Sequence, residues 1–284
     1  PKTGVQLQYY TPDGAVTDRN PDWGYQANIG VGSFAGSSAG TLAQYDGNKW
    51  YKASVYFKNV IFRGIKISSP NSAGGLIGNA GVRAPAGRGG NTAASDIAIL
   101  IQPNASWNGQ GTVYISNTFE NCSFSNLIVE GQKAAGGFCG HIDGMVDLSN
   151  QLNVTTQNFI VGQDSTISAT LNNSCAGGLF GFVRRRVAIN AENGTYTAIW
   201  KNVNVEAGQY SGGLIGEISA DSYGRESNIN NVQILGSVQS KGSSQPAGGG
   251  VIGIAYGGKT ITIKDCSVNT SNIKASSATG GIVG

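Results

Sequence analysis

Between residues 57 and 284 apolar and polar side chains alternate in short bursts of five or six. Examples are "FKNVIF" (57–62), "FENCSF" (119–124), "WKNVNV" (200–205), "INNVQI" (229–234) and "IKDCSV" (263–268), with "TQNFIV" (156–161) as a sixth. Phe57, Val60 and Phe62, or Trp200, Val203 and Val205, keep close to the two-residue period of a half-buried strand. A further short strand is predicted after each burst, in "GIKIS", "NLIVE" and "STISA". No stretch carries apolar residues at helical spacing, so the pattern predicts an all-β chain of short strands and tight corners.

The bursts are punctuated by one recurring phrase. It reads "SAGGLIGN" (72–79), "AAGGFCGH" (134–141), "CAGGLFGF" (175–182), "YSGGLIGE" (210–217), "AGGGVIGI" (247–254) and "ATGGIVG" (278–284). The glycine pairs are Gly74–Gly75, Gly136–Gly137, Gly177–Gly178, Gly212–Gly213, Gly249–Gly250 and Gly280–Gly281, with first members 62, 41, 35, 37 and 31 residues apart. The repeat is thus roughly 31–41 residues long, with an insertion around 79–112. A unit this small cannot bury its own apolar face, and short strands joined by Gly and Asn corners stack most simply as coils of a parallel β-solenoid (β-helix), with about three short strands per coil. In that arrangement Asn59, Asn121, Asn158, Asn202, Asn231 and Asp265 are expected to form one corner ladder. The glycine pairs are expected to supply positive φ or close backbone approach, and Leu76, Phe138, Leu179, Leu214, Val251 and Ile282 to fill the interior.

Residues 1–56 read differently. Prolines near turns, the aromatics Tyr9, Tyr10, Trp23, Tyr25, Tyr45, Trp50 and Tyr51, and the flexible-looking "GVGSFAGSSAG" (30–40) suggest an N-terminal cap or an intersubunit arm, with the solenoid domain occupying 57–284.

Composition narrows the function classes. With 44 glycines and 12% charged residues, the chain has too few Leu, Glu, Lys and Ala at helical spacing for a bundle, and its 39% hydrophobic content is too high for a disordered linker. The net charge of +3 and the single run Arg184-Arg185-Arg186 do not make a nucleic-acid face, and no apolar run is long enough to span a membrane. The start at Pro1 and the finish inside a "TGGIVG" repeat suggest a processed product or part of something longer.

Candidate chemistry is sparse. His141, the single histidine, stands two residues after Cys139, but its slot holds Asn79, Phe182, Glu217 and Ile254 in other copies. That slot tolerates any side chain, while the slot of Cys139 otherwise holds apolar residues. Cys122 and Cys266 share the slot of Val60, Val203 and Val232, and only Cys139 and Cys175 are placed to form a disulfide. No catalytic residue, cofactor-binding residue or metal ligand is assigned. Glu217, Asp221, Arg225 and Glu226, the densest charged group, fit a solvated loop. Sequons at Asn104, Asn153, Asn193, Asn172 and Asn269 are possible N-glycosylation sites, whereas the one at Asn121 should be protected within the ladder.

The "AGGLIG" phrase following an F-x-N-x-x-[FVI] strand, over about residues 55–284, resembles the GLUG-type repeats of bacterial and protist surface proteins. The resemblance implies a secreted or cell-surface, often adhesin-like, structural module. The expected function is an extracellular structural protein, a subunit of a filament or surface fibre whose solenoid ends join head to tail with other copies of itself, carrying covalent glycans. The alternatives are an adhesin-like segment that binds glycans or a host surface and, third, a carbohydrate-active β-helix enzyme that Glu217→Gln would inactivate.

Overall fold

The computed structural model describes residues 30–33, 35–39, 45–46, 49–50, 53–58, 60–81, 115–120, 122–143, 145–149, 159–183, 187–189, 197–219, 226–256, 260–270 and 272–284. Every regular element among them is a strand, and the chain winds as a parallel β-solenoid. Four parallel sheets run along it, visited in the same order by successive coils.

The first, the glycine sheet, stacks seven strands in the order Gly30–Gly32, Ser72–Gly74, Ala134–Gly136, Cys175–Gly177, Tyr210–Gly212, Ala247–Gly249 and Ala278–Gly280. Its register never slips: Gly32, Gly74, Gly136, Gly177, Gly212, Gly249 and Gly280 form one column. After a two-residue corner the chain enters the second sheet, of six strands from Ala35–Ala39 to Ile252–Tyr256. The third sheet runs from Ala53–Lys58 to Ile261–Lys264. The fourth contains the long strands Phe159–Ala169, Ala198–Ala207 and Val232–Ser240. Each coil therefore carries more strand segments than the sequence pattern suggests, because the two-residue glycine corner separates two strands that read as one phrase.

The solenoid also begins earlier than expected. Gly30–Gly32 pairs with Ser72–Gly74, Ala35–Ala39 with Ile77–Gly81, and Ala53–Lys58 with Ile115–Glu120. The boundary at 56/57 therefore falls inside a strand, and "GVGSFAG" is a degenerate copy of the repeat rather than a flexible link. Tyr45 and Trp50 pair in a short antiparallel ladder, while Tyr9, Tyr10, Trp23, Tyr25 and Tyr51 lie outside the described residues. The long insertion joins Gly81 of the second sheet to Ile115 of the third.

The predicted interior column is in place. Leu76, Phe138, Leu179, Leu214 and Val251 are buried, and Ile282, in the last coil described, is 38% exposed. Phe62, Phe124 and Phe138 form a triangle with centroids 5.7 to 5.8 Å apart. Gly162 follows Phe124 in the stack, and a Cβ there would lie 2.4 Å from the Phe124 ring. Trp200, fully buried, occupies the same position one coil on. Each such side chain contributes roughly 1.5–3 kcal/mol of burial, so stability accumulates along the stack.

Candidate functional site

Three constructions could carry function: the corners, the glycine packing, and a cluster around Glu217.

The expected single asparagine ladder is two ladders. Asn231 and Asp265, both left-handed at φ 52° and 53°, occupy one corner, since Asn230 pairs with Lys264. Asn202 does not join them. Ala198 pairs with Val232, so Thr197 is the residue that stacks beside Asn231. Asn202 instead continues a second corner, through Gly64, Asn126 and Asp164, fixed by the pairings around each residue. These four have φ of 65°, 53°, 46° and 56°, and the Asn202 amide Nδ2 donates to Asp164 Oδ1 at 2.9 Å. Side chains that stabilise their own left-handed backbone, or glycine, are what such a corner accepts. Spacing alone groups Asn202 with the first corner because "WKNVNV" imitates that corner in the wrong phase; its true counterparts are "FRGIKI", "FSNLIV" and "GQDSTI". Asn59, Asn121 and Asn158 lie outside the described residues, as do the sequons at Asn104, Asn153 and Asn193. Of the other two sequon asparagines, Asn172 is exposed on a turn, and Asn269 is exposed beside the last strands of the fourth sheet.

The same register moves a cysteine slot. Cys266 stacks on Val232, but the next position down is Ala198, whereas Val203 pairs with Ser165. Cys122 donates to the Phe57 carbonyl at 3.5 Å and Cys266 to the equivalent Ile229 carbonyl at 3.4 Å. All four cysteines are free thiols, including Cys139 and Cys175. The Cys139 thiol reaches the backbone carbonyl of His141 at 3.3 Å, while the imidazole packs on Phe182 with centroids 4.6 Å apart.

The glycine pairs of the described coils do not have positive φ; Gly64 alone among the described glycines does. Their role is close approach, and it extends to the third glycine of the phrase, to which the sequence pattern alone assigns no packing role. In Gly-Gly-x-x-Gly the last residue is Gly78, Gly140, Gly181, Gly216, Gly253 or Gly284. A Cβ on Gly140 would lie 2.8 Å from the Ala73 nitrogen; on Gly181, 2.7 Å from the Ala135 nitrogen; on Gly216, 2.6 Å from that of Ala176. The first and second sheets therefore meet backbone to backbone, with no side chain between them at this column. The signal was available in the sequence as the invariant spacing of that third glycine within the repeat.

This packing positions the remaining cluster. Gly216 sits on the Ala176 backbone, and one residue beyond each contact Glu217 comes beside Cys175. In its own sheet Glu217 stacks between Phe182 and Ile254. It is half-buried in a strand, not on a solvated loop, and desolvation pushes its carboxyl up to about 7. Of its expected companions, Glu226 is exposed, and Asp221 and Arg225 lie outside the described residues. Cys175 is raised well above the ordinary thiol value, first by burial and then by Glu217. Tyr210 is raised by burial, by its hydrogen bond to Tyr256 and by the nearby charges. The two phenol oxygens are 2.6 Å apart, with the rings edge to face. A carboxyl that holds a proton near neutrality beside an exposed phenol pair can donate that proton to a neighbouring group.

Among the described residues no group of three or more His, Cys, Asp and Glu is arranged to hold a metal ion, and no helix is long and apolar enough to cross a membrane. Comparison with protein-family models, with curated proteins and with solved structures gave no match to the chain.

Proposed function

We propose that this chain is a structural β-solenoid rod of an extracellular fibre or cell-surface protein, extended by coil-on-coil stacking. The observation that carries this reading is the unslipped seven-strand glycine column. The residues that recur along the repeat are spent on joining one coil to the next: glycines at the backbone contact, an apolar residue in the interior, and Asn, Asp or Gly at most of the corners. Such a stack presents at its edge the same row of backbone groups that each inner coil offers its neighbour, and a further coil of this polypeptide or of a second copy can continue it. The low charge, the richness in Ser, Thr and Asn and the similarity to GLUG-type repeats support a location outside the cell, where sequons such as the exposed Asn172 and Asn269 would carry glycans.

Negative-stain microscopy with intact-mass measurement on the same native material tests this. Fibres with an axial repeat that matches a whole number of coils, at about 4.8 Å each, are expected. Isolated monomeric rods at high concentration would reject head-to-tail assembly. The second reading, an adhesin-like segment, draws on the exposed Tyr210–Tyr256 pair and on the outward row Thr166, Asn204 and Ser237, whose amide and hydroxyl groups suit a glycan. It predicts sugar binding by single rods in a glycan array.

A further inference from the structure

The solenoid spends its polar side chains carefully. Buried Ser165 accepts from the Leu127 amide at 3.0 Å and donates to the Gln163 carbonyl at 2.6 Å. Ser174 likewise accepts from the Gly208 amide and donates to the Ala169 carbonyl, each at 2.9 Å. Glu217 breaks this rule. Among the described residues its carboxyl meets Cys175 and Tyr210 electrostatically but has no hydrogen bond or ion pair. It cannot swing away without cost, because its strand pairs on both sides, with Phe180–Val183 and with Ile252–Tyr256, and Gly216 before it is locked on Ala176.

We propose that Glu217 is a proton-operated latch between the first and second sheets, closed when its carboxyl is neutral and loosened when it ionises. The groups facing it fix the direction. In its own row the neighbours are Phe182 and Ile254, with His141 beyond Phe182, and across from it stand the Cys175 thiol and the Tyr210 phenol, itself bonded to Tyr256. Among the described residues none of the facing groups is a cation at neutral pH, so ionisation places a charge against apolar side chains, a thiol and a phenol. The sign follows. The carboxyl is neutral in both the closed and the open strand only well below pH 4.5, so nothing is lost there. As pH rises from 4.5 towards 7, the open strand releases its proton first and opening becomes progressively more favourable, with the full effect present above about 7. A rod of this kind is tighter in acid surroundings than in neutral ones, and the change is confined to the coils around Cys175–Val183, Tyr210–Ser219 and Ala247–Tyr256.

The test is hydrogen exchange followed by mass spectrometry on the intact protein and on Glu217→Gln, at pH 5.5 and 8.5, each normalised to the intrinsic exchange rates. In the wild type, amides of 215–219 and 175–177 should lose roughly tenfold of their protection between the two pH values relative to the variant, a shift held below the full carboxyl displacement because the group is partly solvated. Protection around Ile128–Gly136 should not change. Glu217→Leu, which fills the row with an apolar side chain, should behave like Glu217→Gln. Equal protection of wild type and both variants at pH 8.5 would overturn the latch, as would a loss spread evenly over all coils.

Discussion

Replacing Gly181 with alanine tests the backbone-to-backbone contact directly. The added methyl carbon would stand 2.4 Å from the Gly140 carbonyl oxygen and 2.7 Å from both the nitrogen and the oxygen of Ala135. All three are backbone atoms of neighbouring strands, so no flexible side chain can yield. The shortest contact is roughly 1 Å inside the 3.5 Å at which nonbonded heavy atoms begin to attract. The two sheets must therefore separate by a comparable distance over at least two coils, opening gaps around Phe138, Leu179 and Phe180, all fully buried. Overpacking of a tight core costs about 1–3 kcal/mol, and rigid backbone on every side places Gly181→Ala at or beyond the upper end, about 3 kcal/mol. Urea denaturation monitored by far-ultraviolet circular dichroism measures it. Gly281→Ala is the internal control, because a Cβ there meets nothing within 4 Å, and it should change stability by less than about 0.5 kcal/mol. If Gly181→Ala and Gly281→Ala proved equally mild, the third glycine would not be a packing requirement and the sheet contact as described would be wrong.

Other expectations follow from the corners and the core. Asn202→Ala loses the bond to Asp164 and places a methyl-bearing residue at φ 56°, for a cost of about 2 kcal/mol by denaturant titration; Asn202→Gly keeps the backbone and should cost about half as much. Gly64→Asn should be tolerated within about 0.5 kcal/mol, since nothing lies within 4 Å of its Cβ position and Asn126 and Asn202 fill the same corner; thermal melting would expose a larger loss. Trp200→Ala should cost about 3–5 kcal/mol in the same titration, whereas Trp200→Phe should cost much less, because the buried indole N–H has no hydrogen-bond partner to lose among the described residues. In native protein at pH 8, a maleimide should modify Cys266 well before Cys122, Cys139 and Cys175, which are buried; peptide mapping that found Cys175 first would contradict the closed packing around Glu217.

How much of this was written in the sequence depended on whether a signal was local or required register. The glycine phrase and the two-residue alternation determined the solenoid, its coil length and the buried column from Leu76 to Val251, because stacking converts a repeat directly into a pile of like residues. The seventh copy at 30–36 was hidden by Ser33, which stands where Gly75 stands in the next coil and breaks the glycine pair. The division of the asparagines between two corners was undecidable from spacing. The register shifts once between Ile160 and Gly162 and again between Lys201 and Val203, and each shift exchanges which motif aligns with which. Glu217 read as one residue of a charged stretch. Only the tertiary structure, which presses Gly216 onto Ala176 and stacks Glu217 between Phe182 and Ile254, takes it partly out of water. Sequence thus fixes what repeats, since identical residues stacked about 4.8 Å apart reinforce one another. The tertiary structure decides what differs from coil to coil, since a side chain's surroundings are set by the neighbouring coils and by the sheet across the corner.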